Sequence, residues 1–241
     1  MKLISFQISG RYGHFLRAEG GASAPTYPVP PRTVILGIMG AVLGLDKDQP
    51  QRLLEPAHIA LSGRLPQTHW HNAKLRKDPP AALPKTIKRS QQAEKTTKPE
   101  KATLIRQEWL LNPSYTVWVS IPDRYFADLE RRLVEKKWHF QPSLGLSEMM
   151  AELNYLETDE VAPLAGGFYY VNSVFSHKNG RLDVDKIFND ELVIHSLRMP
   201  RTVNSNRVFS HESYFMERDA RPVPVETDHA FKTNNKVLMF L

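Results

Sequence analysis

The chain has 241 residues, enough for one large domain or two small ones with a true core, and contains no cysteine. The missing thiols exclude disulfides, thiolate catalysis and zinc–thiolate sites, and fit a reducing compartment. The formal charge of +6 sits in one stretch: His69 to Gln107 holds ten basic and three acidic residues, a net +7, leaving 22 basic and 23 acidic residues elsewhere, a net −1.

The first ten residues, MKLISFQISG, have one basic residue and no long apolar core before small residues, so they do not read as a signal peptide. Residues Lys2 to Ile8 alternate, with Ile4, Phe6 and Ile8 on one side and Ser5 and Gln7 on the other. That pattern predicts a half-buried strand with a polar open face. A loop follows from Ser9 to Val29. Its segment Arg11 to Arg17 gathers two cations (Arg11, Arg17), two aromatics (Tyr12, Phe15) and His14. Guanidinium forks match phosphate and aromatic rings stack on unpaired bases, so all five are candidate RNA contacts. The competing reading makes Tyr12, Phe15 and Tyr27 core residues beneath a loop.

Pro30-Pro31 predicts the start of an apolar helix running to about Leu45. A helix N-terminus offers free N–H groups to an anion, so Tyr27, Arg32 and Thr33 join the candidates. Gly37, Gly40 and Gly44 share one helix face, which predicts close approach to a sheet. The run Thr33 to Leu45 is too short and too glycine-rich to cross a bilayer, so a cytoplasmic protein with no membrane partner is expected.

A second strand is predicted over His58 to Leu65. The basic arm then interrupts the pattern. It has four prolines, no glycine and little apolar content, and cannot build its own core. Trp70, Lys74, Arg76, Lys77, Lys85, Lys88, Arg89 and Arg106 are its candidate RNA contacts. The competing reading is a solvated, partly disordered loop. His69 and His71 fall on one side of a strand, but two ligands without a third do not make a metal site, and neither metal nor cofactor is expected.

Strand character resumes from Gln107 to Ile121. Ser120 to Asp123 has the hydroxyl-then-acid spacing of a capped helix start, followed by Phe126, Leu129 and Leu133 on one face. Another strand is predicted around Ser147 to Leu156. The resulting order is βαββαβ with one long insertion, the split unit of a ferredoxin-like, RRM-like α+β fold. RNA-recognition modules of this plan use an open sheet face. The expected organisation is a domain over residues 1–156, with a basic thumb at about 67–107, and a small β-rich lobe over 157–241. In that lobe four short strands and no helix of any length are predicted.

Phosphate-cradling glycine loops, His-Glu-x-x-His and Gly-x-Ser-x-Gly are missing from the sequence. His14, assisted by Tyr12, is the one candidate general base, for a metal-independent endoribonuclease. Arg198, Arg201 and Arg207 cluster in the C-terminal lobe. They read either as contacts to target DNA or, preferably, as surface arginines paired with Glu212, Glu217 or Asp219.

Two stretches then resemble a known family. Residues Ile8–Phe15 (ISGRYGHF) with Ala24–Ala41 (APTYPVPPRTVILGIMGA), and Phe140–Glu148 (FQPSLGLSE), resemble the CRISPR-associated Cas5 family, RAMP proteins of type I interference (Cascade) complexes. The subtype looks most like I-B. The resemblance implies a non-catalytic subunit that holds the 5′ handle of the CRISPR RNA (crRNA) and serves antiviral defence. It implies contacts with the backbone RAMP subunit and the large subunit, and with target DNA only inside the assembled complex. It implies a ferredoxin-like domain with an inserted thumb, and the His69–Gln107 arm occupies the thumb position.

Overall fold

In the computed structural model, which describes residues 1–17, 23–76 and 102–241, four strands form the central sheet. They are β1 (Lys2–Ser9), β2 (His58–Ser62), β5 (Ser114–Ser120) and β6 (Glu152–Glu160), the labels β3 and β4 belonging to the arm strands Gln67–Arg76 and Ala102–Leu111. The spatial order is β6-β1-β5-β2, and every neighbour is antiparallel. Helix α1 (Arg32–Leu43) and the short α2 (Pro50–Leu53) connect β1 to β2, and α3 (Asp123–Glu135) connects β5 to β6.

The alternation in β1 puts Ile4, Phe6 and Ile8 on the helix-covered face, opposite Val119, Val117 and Tyr115 of β5. Ile35, Met39 and Val42 of α1 and Leu129 and Leu133 of α3 close that core. Each such side chain contributes roughly 1.5–3 kcal/mol by leaving water. Tyr115 is anchored there by its hydroxyl, which donates to Pro28 O at 2.7 Å, and burial pushes the phenol's pKa well above its ordinary value.

One end of the second face is not open. Leu3, Ala60 and Trp118 pack against Val161, Leu238, Phe231 and Phe240, and Ser5 is buried beside them. The expected open sheet face is therefore covered at the end that holds Leu3 and Trp118, while Gln7 and Ser114, joined by an exposed hydrogen bond of 2.9 Å, lie toward its other end. Alternation identifies the two faces of a strand but not what lies on each; Leu3 and Trp118 are the residues that need the cover.

Several local expectations change. Asp123 starts α3 after an N-cap at Pro122 with no side-chain cap, because Ser120 is still paired in β5. The α1 glycines do not meet a sheet. A Cβ on Gly40 would lie 2.2 Å from Pro50 Cγ, Gly44 is the left-handed C-cap against His139, and Gly37 faces open space. The last strand of the sheet begins at Glu152, not Ser147; residues 140–151 form a loop closed by the Ser143–Met150 bridge.

The C-terminal strands are β7 (Gly167–Val171), β8 (Ile194–Val203), β9 (Phe209–Glu217) and β10 (Val223–Thr227), with two-residue strands between them. One short helix, α4 (Val184–Asn189), is present where none was expected; Asp183 caps it by accepting the Lys186 N–H at 3.0 Å. Val171, Phe175, Val223, Val225 and Met239 form a small core of their own. The largest cluster nevertheless continues past residue 156, taking in Val174, Met199, Tyr214, Met216 and Leu241. Among the described residues no helix is long and apolar enough to cross a membrane.

Candidate nucleic-acid interface

The arm is rooted as a long antiparallel ladder. Strands β3 and β4 pair without interruption from Gln67–Leu111 to Arg76–Ala102. Cross-strand partners share a face. Trp70 pairs with Glu108, Asn72 with Arg106 and Lys74 with Leu104, so Trp70, Lys74 and Arg106 converge on one face. All three are exposed, and the Arg106 guanidinium lies 5.2 Å from the Trp70 ring centroid. Trp70 keeps 41% of its surface in solvent.

The opposite face is aromatic. Tyr12 pairs with Leu111, His69 with Trp109 and His71 with Gln107. The His71 ring stacks on Trp109 at 4.1 Å, and Tyr12 meets Trp109 at 5.3 Å. Arg11 is exposed, 5.3 Å from the Tyr12 centroid, beside a cleft of about 410 Å³ whose far wall is Gln141 and Met149–Glu152. Trp109 falls inside the strand expected from Gln107, and only the ladder register, which pairs it with His69, brings it to the face of Tyr12 and His71.

Of the remaining loop candidates, His14, Phe15 and Tyr27 are buried. His14 is 2% exposed, and its Nδ1 lies 2.7 Å from Glu108 O. A carbonyl only accepts, so Nδ1 carries a proton and donates. The backbone N–H of His14 donates to Leu144 O at 2.8 Å, and the Glu108 carboxylate accepts the Thr26 N–H at 3.1 Å. His14 thus fastens the loop to the arm and turns no face to a ligand. Phe15 and Tyr27 pair through their backbones and are buried in the main core. Arg17 is exposed, its guanidinium 5.6 Å from the Tyr27 centroid.

Arg32 and Thr33 are also buried, contrary to an anion-binding helix start. Arg32 makes a two-pronged pair with Glu55, with Nη2 2.9 Å from Oε2, and donates to Ala57 O at 2.8 Å. Its charge is already answered. Burial works to raise the Glu55 carboxyl, but the Arg32 bonds, the Ala57 N–H and the Arg32 charge together hold its pKa below its ordinary 4.5. A carboxyl depressed in the fold stabilises it fully above the unfolded value, and that contribution is lost as pH falls through the folded one. Arg32→Ala is therefore expected to destabilise the protein by about 2 kcal/mol at pH 7, reduced from the fully buried case by the exposure of Glu55. The deficit should narrow below about pH 4.5 in urea titrations; a gap independent of pH would assign the loss to packing instead.

Arg76 pairs with Ala102 at the last described rung, and Lys77, Lys85, Lys88 and Arg89 lie outside the described residues. In the C-terminal strands Arg201 pairs with Glu212 at 2.9 Å, as expected. Arg207 instead pairs with Asp48 at 3.0 Å, while Glu217 takes Arg221 and Asp219 takes Arg64 and Arg218.

A family model described as CRISPR-associated protein (Cas_Cas5) matches residues 3–222. No curated protein matches the chain. Among solved structures, a CRISPR protein from Archaeoglobus fulgidus superposes with a TM-score of 0.55 at 13% identity, covering 100% of this chain and 99% of that one. A chain of a CRISPR RNA-guided surveillance complex superposes with a TM-score of 0.54 at 15% identity, covering 92% of this chain and 91% of that one. Both likenesses are of fold.

Proposed function

This chain belongs to the CRISPR-associated Cas5 family, and we propose that it is a non-catalytic, RNA-holding subunit of a type I interference complex. Its ligand is the 5′ handle of the crRNA, and its neighbours are the backbone RAMP subunit and the large subunit. Target DNA reaches it only inside the assembled complex. The N-terminal loop favours type I-B. On this reading the β6-β1-β5-β2 sheet with α1 and α3 is the ferredoxin-like βαββαβ unit, the β3–β4 ladder is the root of its thumb, and residues 157–241 are a second lobe.

The observation that carries the proposal is the exposed face of that ladder, where Trp70, Lys74 and Arg106 combine a stacking surface with two cations. Single-stranded RNA is recognised by that pairing of charge and ring. The +7 net charge of the arm supplies the electrostatic share. A binding role without chemistry is supported by His14, whose imidazole is buried and committed to Glu108 O.

Neutralising Lys85, Lys88 and Arg89 together to Gln tests the reading. Three lost phosphate contacts should flatten the slope of log affinity against log salt by about 2 for single-stranded RNA. Full RNA occupancy of the triple variant at physiological salt would remove the arm as the main contact. In the same preparations, metal-free incubation should leave repeat RNA intact; a site-specific product lost in His14→Ala would establish the endoribonuclease instead.

A further inference from the structure

A second site lies away from the arm. At the His58 end of β2, where the sheet meets β8 and the end of the chain, a cleft of about 540 Å³ opens. None of its lining residues comes from β3, β4 or the segment Arg11–Arg17. Small-ligand sites have volumes of roughly 300–1,000 Å³ and pair an apolar wall with a few placed polar groups. Here the wall is aromatic. The Phe240 ring sits 5.1 Å from His58 and 4.8 Å from Phe231, all three on the cleft.

The polar side has two arginines, each already facing a carboxylate: Arg32 pairs with Glu55 and Arg201 with Glu212. Glu55 is satisfied by Arg32 and the Ala57 N–H, so it turns no free oxygen toward an incoming anion. Arg32, 4% exposed, retains an Nε–H with no partner among the described residues. Arg201 is exposed; its Nε faces Glu212 at 2.9 Å, and both Nη groups are unengaged among the described residues. Such a fork is shaped for a phosphate. The Asn179 side-chain amide and the Gln51 side chain, whose Nε2 donates to Thr33 O at 2.8 Å, complete the rim.

We propose that this cleft binds one nucleotide: the base against Phe240, its edge read by the Asn179 and Gln51 amides, and the 5′-phosphate on Arg201. Stacking needs an aromatic ring, the base edge needs donors and acceptors together, and the phosphate needs guanidinium N–H groups; the lining holds groups of all three kinds. The nucleotide is either free or one unit of a nucleic-acid strand, and the two sources share this chemistry.

The test is calorimetric titration of the full chain with the four ribonucleoside 5′-monophosphates, with inorganic phosphate and with the trinucleotide pUpUpU. Monophosphates are expected to bind at least tenfold more tightly than phosphate. Phe240→Ala and Arg201→Gln should each weaken them about tenfold. Phe240→Leu, which keeps the apolar volume, should weaken them comparably and guards against a misfolded variant. The titrations are repeated in a Trp70→Ala background, which removes stacking on the arm; the Phe240 and Arg201 losses should persist there, so that failure of the arm as an RNA contact cannot imitate failure of the cleft. A trinucleotide tighter than the monophosphate supports the site as part of a strand path; equal affinities support a free nucleotide. No binding at millimolar concentration, phosphate binding as tightly as nucleotide, or indifference to both the Phe240 and Arg201 variants would each overturn the proposal.

Discussion

Gly145→Ala is expected to destabilise the protein by about 3 kcal/mol or more, the sum of left-side backbone strain and enforced overlap in a packed site. Gly145 has φ +102°, and an added Cβ would lie 1.8 Å from His14 O and 2.7 Å from His14 C. Backbone cannot swing aside as a side-chain tip can, so the loop or the His14 segment must move. Neither has slack. Leu144 is fully buried and accepts the His14 N–H, and its own N–H donates to Met149 O at 2.7 Å. Displacing His14 also breaks its bond to Glu108 at the root of the arm. Apparent RNA affinity should fall with the folded fraction. Gly37→Ala is the matched control: Gly37 lies inside α1 with nothing within 4 Å of its would-be Cβ. There alanine should stabilise by about 1 kcal/mol through helix propensity alone. Denaturant midpoints of the two variants moving in opposite directions would bear this out; two equal losses would refute the steric account.

Trp70→Ala should weaken RNA binding by about 5- to 150-fold, the worth of one base stacked on an aromatic ring. The loss should be nearly independent of salt, because stacking releases no counterion. Arg106→Ala, across the same face, should also weaken binding but flatten the salt slope by about 0.7. The pair of variants therefore separates ring from charge on a single surface. If Trp70→Ala binds like the parent while Tyr12→Ala does not, the RNA lies on the Tyr12–His71–Trp109 face and the assignment of faces is reversed.

The Arg32–Glu55 pair shows why charge in a sequence is a poor guide to a ligand. Arg32 follows two prolines at a helix start and has the local features of an anion site. Its partner stands 23 residues away, brought back by α2 and the turn before β2. Arg207 and Asp48, 159 residues apart, repeat the lesson on the surface. His14 repeats it in the loop: its neighbours in sequence are cations and rings, and its neighbours in space are Glu108 and Leu144.

What the sequence alone determined is whatever depends on local periodicity and composition. The alternation of Ile4, Phe6 and Ile8, the spacing of Leu129 and Leu133, and the charge between His69 and Gln107 each encode an element and its inward or outward side, because a strand repeats every two residues and a helix every 3.6. The motif residues Gly13, His14 and Gly145 were visible as a pattern without their purpose. Tertiary structure decided the rest. It covered one end of the second sheet face with Phe231, Leu238 and Phe240, buried His14 and Arg32, and sorted Trp70, Lys74 and Arg106 from Tyr12, His71 and Trp109. It also assembled a cleft from residues as distant as Arg32, Arg201 and Phe240. Burial and pairing are properties of contacts between remote segments, and no local period records which segment will arrive.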